Sequence, residues 1–196
     1  MDEPPANDSD GEKRSRFDRR VPEGDDRSRL VCVQCGFVLY ENPKVVVGSV
    51  ATWEDRILLC RRAINPRRGF WTLPAGYLEL GEDPAAGALR EAWEEARARL
   101  RIDQLLAIYT IPRLSQVQLI FRARVADGAI SAGPESSEVA LFAWEEIPWA
   151  EIAFPSVVWA LRHHRELAGV PTFAPRGNPP GAVGNFDELS GIHTID

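Results

Sequence analysis

GYLELGEDPAAGALREAWEEARA, residues 76–98, joins a glycine-marked loop to a single amphipathic helix. Asp83 is a candidate N-cap, and Pro84 takes the first helical position, where its missing N–H costs nothing. The pattern predicts a helix from Pro84 to about Arg99. At about 100° per residue, Glu91, Glu94 and Glu95 share one narrow arc, while Ala85, Leu89, Ala92, Trp93, Ala96 and Leu100 lie opposite. The reading is an apolar back and an acidic front. Exposed carboxylates at such spacings repel by a few tenths of a kcal/mol per pair, and a hard cation such as Mg²⁺, which bridges carboxylates to phosphates, relieves that repulsion. An acidic helix face alone is usually solvated surface. Here the triplet belongs to a longer fixed spacing: Gly76, Glu82, Arg90-Glu91 and Glu94-Glu95. Six specified positions at ordinary residue frequencies recur by chance in a chain this long roughly once in a hundred thousand.

Outward from this stretch, KVVVGSVATW (44–53) has the β-branched character of a strand, and Glu54-Asp55 reads as the turn of a hairpin returning through RILLCRR. NPRRGF (65–70) is a loop by its Asn-Pro and Gly signals. LLAIYTIP, VQLIFRARV and SEVALFAW are strands, and PSVVWALRHHRELAG is a second amphipathic helix closed by Gly169, with His163 and His164 on its surface. Strands flanking two helices predict a three-layer α/β/α domain over residues 44–170. Residues 1–29, nearly devoid of large apolar side chains, read as a flexible arm. VCVQCGFVLYENP makes a small turn-based unit over residues 30–43, and the Pro- and Gly-rich residues 171–196 read as a loose tail.

The chain has 196 residues, 44% hydrophobic and 27% charged, as in an ordinary globular protein. A net charge of -6 argues against broad nucleic-acid binding, which rests on clustered Lys and Arg. No apolar run approaches the roughly 20 residues that span a bilayer, and the charged N-terminus lacks the apolar core of a secretory signal. Three cysteines, Cys32, Cys35 and Cys60, suit a reducing compartment. The expectation is a cytoplasmic protein acting on a small molecule, with neither membrane nor nucleic acid as partner.

The 76–98 stretch resembles the box of the Nudix hydrolases, G-x5-E-x7-R-E-U-x-E-E-x-G-U with U aliphatic. Gly76, Glu82, Arg90, Glu91, Glu94 and Glu95 match, and Ala92 and Ala98 stand at the U positions. The resemblance implies a Nudix-type α/β/α sandwich with a mixed β-sheet. It implies that Glu91, Glu94, Glu95 and the Gly76 carbonyl coordinate Mg²⁺ or Mn²⁺, and that Arg90 pairs with Glu82 to pin loop against helix. The cation would polarise phosphoryl oxygens and lower the pKa of a bound water. A carboxylate takes the proton: a box glutamate, Glu94 or Glu95, or one on a later loop, for which Glu138 in GPESSEVALFAW is the candidate. The family's last box glycine is Arg97 here, and a Cβ held at positive φ costs roughly 1 kcal/mol.

The order CVQCG, YENPKVVVG, RILLCRR, GFWTLPAGYLE, GPESSEVALF, EEIPW and AFPS resembles the branch of FAD and ADP-ribose pyrophosphatases with an N-terminal zinc ribbon. That branch cuts a diphosphate joining AMP to flavin or ribose. Relatives acting on ADP-ribose are commonly homodimers. A ribbon needs four zinc ligands, and only the Cys32/Cys35 pair is present, so the ribbon reads as degenerate and Zn²⁺ is not expected; Cys60 reads as a small core residue. Among Arg61, Arg62, Arg67 and Arg68, Arg62 is the candidate for substrate phosphate, and Gln116 for a hydrogen bond to substrate. Trp71, Tyr77, Phe121, Trp149 and Phe154 are candidates for stacking on a base, and Gln118 stands where the branch carries an aromatic residue. Alternatives are an NADH pyrophosphatase, whose S-Q-P-W-P-F-P-x-S motif is absent, a nucleoside triphosphate pyrophosphohydrolase, and a non-catalytic nucleotide-sensing module, which usually loses box carboxylates.

Overall fold

The computed structural model describes residues 16–190 and residue 192. The chain divides after Asn42 into two units. In the first, β1 (Phe17–Arg20), β2 (Arg29–Cys32) and β3 (Val38–Leu39) form an antiparallel sheet with β2 at its centre. Cys32 and Gly36 close the β2–β3 turn, Gly36 N–H donating to the Cys32 carbonyl and Cys32 N–H to that of Phe37. Residues 17–29, expected within a flexible arm, therefore include a strand. A backbone ladder from Phe17↔Cys32 to Arg20↔Arg29 and the Arg29–Asp25 ion pair at 2.9 Å contribute to that order. Residues 1–15 of that expected arm lie outside the described residues.

The second unit is built on β4 (Lys44–Trp53), which leads through a turn at Glu54 into β5 (Arg56–Arg62). Two short strands follow: β6 (Trp71–Thr72) pairs with β5, and β7 (Ala75–Tyr77) pairs with β4. After α1 (Pro84–Ala96) come β8 (Leu100–Ile111), β9 (Gln116–Val125), β10 (Ser136–Phe142) and α2 (Pro155–Glu166). The main strand order is β10-β5-β4-β9-β8, with β4 and β9 parallel and the other pairs antiparallel, which makes the sheet mixed.

Successive strand residues point to opposite faces, and the packing follows that alternation. Val50 on β4 and Ile57 and Leu59 on β5 join a core cluster with Val157, Val158 and Leu161 of α2. Ala51, Leu58 and Cys60 pack instead with Ala96 at the end of α1, and Val47 with Ala88. Each helix thus covers its own face, the three-layer arrangement expected, and a sheet buried on both faces has strands that are apolar almost throughout.

Three expectations about exposure are corrected. Leu89 and Trp93 of α1 are 36% and 44% exposed, whereas Glu91 and Glu95 retain only 8% and 5% exposure. The small stripe Ala88, Ala92 and Ala96 lets the helix approach the sheet closely and turns two carboxylates inward. The segment after Val170 is not loose over its described part. Phe173, Ala182 and Leu189 pack on the main core and Ile192 lies within it, so its prolines and glycines shape a packed route. On α2, His163 Nδ1 meets the Tyr109 hydroxyl at 2.7 Å, and burial brings His164 down to about 4; neither ring is simply on the helix surface.

Candidate active site

The start of α1 forms as its sequence predicts. Asp83 Oδ1 accepts the N–H groups of Ala85 and Ala86 at 2.9 and 3.3 Å, and Pro84 opens the helix. The helix ends at Ala96, three residues before the expected limit, because Arg97 turns left-handed at φ 50° and returns its N–H to the Trp93 carbonyl at 3.0 Å. The glycine position of the box therefore needs positive φ here too, and a non-glycine residue supplies it.

Arg90 organises the carboxylates. Its Nε and Nη2 donate to the two oxygens of Glu82 at 2.8 and 3.0 Å, Nη2 also to the Tyr77 carbonyl at 3.0 Å, and Nη1 to Glu91 at 2.8 Å and Glu94 at 3.0 Å. One guanidinium thus ties the loop after β7 to the acidic face of α1. The bond from Arg90 holds Glu82 below the usual carboxylate range, and Glu82 in return raises Arg90. Burial pushes Glu91 up, against the pull of Arg90. Burial also pushes Glu95 up to about 7, although its Oε2 accepts the Ala75 N–H at 3.0 Å. Gly76 is set against Glu91 so closely that a Cβ there would overlap the carboxylate. Its register opposite Val47 on β4 fixes that approach.

A cavity of about 940 Å³ opens on this face, at the upper end of the size of ordinary small-molecule sites. Gly76, Glu91, Glu94 and Glu95 line it, as do Arg62 and Gln116. Gln116 Nε2 donates to the Tyr77 hydroxyl at 3.3 Å, and Arg62 Nε to the Pro66 carbonyl at 2.8 Å. Glu82 is absent from the lining and acts from behind, through Arg90.

Glu138 is placed differently from expectation. It is absent from the cavity lining and pairs with Arg61 at 3.3 Å along the β5–β10 edge. Glu135 lines the cavity in its place, and its charge bears on both Glu91 and Glu95. Glu135 is the last loop residue before β10 begins at Ser136, whereas Glu138 lies within the strand, opposite Arg61 after a register shift. Pro134-Glu135 directly before a strand is the sequence signal of this loop carboxylate. Of the aromatic candidates, Tyr77 and Phe154 reach the cavity, whereas Trp71 and Phe121 are core residues and Trp149 packs against the core. A separate cavity of about 700 Å³, between the β4–β5 turn and the end of α2, has none of the box residues.

Among the described residues, no three acidic, histidine or cysteine side chains close on one point. Arg90 Nη1 lies between Glu91 and Glu94, and the Ala75 N–H draws Glu95 aside. The donor set itself fits a hard divalent cation: three carboxylates within two helical turns, two of them carrying a burial penalty that a cation would relieve. In the N-terminal unit the Gln34 and Cys35 N–H groups draw the Cys32 thiol below its ordinary value. That unit offers only two sulfur donors, Cys32 and Cys35, and a four-ligand zinc site does not fit them.

A mixed sheet between two helices, with a carboxylate-bearing helix at a cavity, defines the Nudix class of fold. The NUDIX domain profile matches residues 42–160, and a Nudix N-terminal profile matches residues 11–41. The chain belongs to the Nudix hydrolase family, whose members generally depend on a divalent metal. It is similar to a NUDIX hydrolase of known structure from Nitrosomonas europaea, 45% identical with a TM-score of 0.78, over 83% of this chain and 93% of that one. A MutT-like protein of Streptomyces ambofaciens is 37% identical over 102 residues, 52% of this chain and 64% of that protein. An ADP-ribose pyrophosphatase of Methanocaldococcus jannaschii is 31% identical over 114 residues, 56% of this chain and 68% of that protein. The matched stretches thus span about two thirds of the length of these two relatives.

Proposed function

We propose that this protein hydrolyses the pyrophosphate bond of a nucleoside diphosphate linked to another moiety, with ADP-ribose or FAD as substrate and AMP as a product. The observation that carries the reading is one cavity lined at once by Glu91, Glu94 and Glu95, by the loop carboxylate Glu135, and by the cation Arg62. The similarity to an ADP-ribose pyrophosphatase supports ADP-ribose. Gln118 in the cavity wall offers no aromatic face on which a flavin could stack, which weighs the same way.

Glu91, Glu94, Glu95 and the Gly76 carbonyl would hold Mg²⁺ or Mn²⁺, which when bound neutralises phosphate charge and acidifies water. Arg62 binds a phosphate oxygen, and Gln116 orients the substrate by hydrogen bonding. Arg90 and Glu82 keep the Gly76 loop on the helix. Water adds to phosphorus as the bridging P–O bond breaks, and its proton passes to a carboxylate. Glu135 takes the place of Glu138 as the loop candidate for that base, beside Glu94 and Glu95. We place the activity in the cytoplasm, consistent with three free cysteines and with no helix among the described residues long and apolar enough to cross a membrane. A homodimer completes the reading, to be checked by sedimentation.

The test is AMP release from ADP-ribose, FAD, NADH and a nucleoside triphosphate, with Mg²⁺, Mn²⁺ or EDTA. ADP-ribose or FAD should be preferred, EDTA should abolish turnover, and Glu94→Gln should lower kcat by about 100-fold or more, the scale of losing one preorganised charge contact. No turnover of any of the four with either ion would overturn the reading.

A further inference from the structure

The residues after Val170 follow the span matched by the NUDIX profile, yet they build part of the cavity wall. Arg176 is bonded to β8 on both sides, its N–H donating to the Leu106 carbonyl at 2.9 Å and its carbonyl accepting the Ile108 N–H at 2.8 Å. Asn178 grips Thr110 through both side-chain atoms, at 2.9 and 2.8 Å. Past the end of β8, Glu188 Oε1 accepts the N–H groups of Val183, Gly184 and Asn185 at 3.0, 2.8 and 3.0 Å, which folds these residues into a tight loop. Gly184 sits at φ +83°, with Ile111 where a Cβ would go. Its carbonyl accepts both Nε and Nη2 of Arg113, at 3.2 and 3.1 Å.

That loop delivers Phe186 among arginines. The Phe186 ring centroid is 5.0 Å from the Arg113 guanidinium, 5.5 Å from that of Arg67 and 6.4 Å from the ring of Phe154. Arg62 lies over Phe154 at 5.2 Å. Arg62, Arg113, Phe154 and Gly184 line the same cavity as the box carboxylates, and Phe186, outside that lining, stands against Arg113 and Phe154. Like charges gathered this way repel, and the ring faces offset the repulsion by attracting guanidinium groups. With two nitrogens of Arg113 held by Gly184, Nη1 remains for an anion, and guanidinium groups match phosphate oxygens.

We propose that the Gly184–Phe186 turn belongs to the substrate site. Phe186 is a positioning residue that holds Arg113, and through Phe154 also Arg62, as an anion-binding wall for the diphosphate of the linked nucleotide. This rests on reading the cavity as a pyrophosphohydrolase site. It adds a specificity element supplied from outside the family-matched span.

Steady-state kinetics on ADP-ribose with the full chain test it. Phe186→Leu keeps the apolar contact but removes the ring; it should raise KM at least fivefold with kcat within twofold, and Phe186→Tyr should restore KM. Arg113→Ala should raise KM similarly. An unchanged KM in Phe186→Leu overturns the proposal. Should Phe186→Leu melt more than 5 °C below wild type, Arg113→Ala, an exposed position, carries the test with the same thresholds. If the wild type turns over neither ADP-ribose nor FAD, the hydrolase reading fails separately, and calorimetric binding of ADP-ribose decides the wall. Affinity at least fivefold weaker in the two variants upholds it; equal affinity, or no binding by the wild type, overturns it.

Discussion

Glu95 carries two demands that oppose each other. In the proposed role it must be a carboxylate to hold a cation, yet burial pushes it up to about 7. A carboxyl whose folded pKa lies above its unfolded value contributes stability that is full below the unfolded pKa, near 4.5, and is lost as pH rises through about 7. The metal-free protein should therefore lose stability, on the order of 2 kcal/mol, between pH 5 and pH 8, and Glu95→Gln should flatten that slope in urea titrations. Divalent-ion affinity should rise over the same interval as the proton ceases to compete, which calorimetry at pH 6 and pH 8 would detect. Gly76 makes a sharper demand at the same scale. A methyl group there overlaps the Glu91 carboxylate, so Gly76→Ala should lower turnover by about 100-fold, the scale of a 1 Å misplacement, and should cost about 1–3 kcal/mol of stability from overpacking. Wild-type turnover in Gly76→Ala would show that the site tolerates a displaced Glu91.

At the scale of one element, α1 is correctly begun by Asp83 and Pro84 and ended against propensity. Arg97 holds φ 50° without being glycine, while recovering part of the cost through its guanidinium 5.6 Å from the Trp93 ring. Arg97→Gly should raise stability by about 0.5–1 kcal/mol, about 1–4 °C in Tm for a chain of this size; differential scanning calorimetry measures it. The helix was legible as an element because its cap, its proline and its carboxylate spacing are all local. Its facing was legible only in part: Ala92 and Ala96 of the expected back are buried, Leu89 and Trp93 are not. Leu89 and Trp93 suggested an apolar back, but the Ala88-Ala92-Ala96 stripe packs closest to the sheet, and close approach outweighs the hydrophobicity of larger side chains left half in water.

For the whole molecule, the descending segment after Val170 turns an expected tail into part of the hydrolase unit. Leu189 and Ile192 pack with α2 and β8 in the main core, so removing residues 171–196 should destabilise the protein by several kcal/mol, the loss of two or more buried apolar side chains. A truncated chain ending at Val170 should melt at least 5 °C lower than the full chain. An unchanged melting temperature would mean that these contacts are marginal in solution.

Local chemistry was enough to establish much of this protein. The spacing of Gly76, Glu82, Arg90, Glu91, Glu94 and Glu95 carried the family, and the β-branched runs carried a sheet covered on both faces. These signals lie within single elements, where periodicity and capping act over a few residues. Tertiary structure alone settled what depends on distant segments meeting. It put Glu135 rather than Glu138 at the cavity, since where β10 begins and how it pairs with β5 depend on a segment about 75 residues away. It also brought Arg113 and Gly184, 71 residues apart, into one wall, because that contact depends on how a tail rich in glycine and proline folds back along β8, and composition alone reads such a tail as loose.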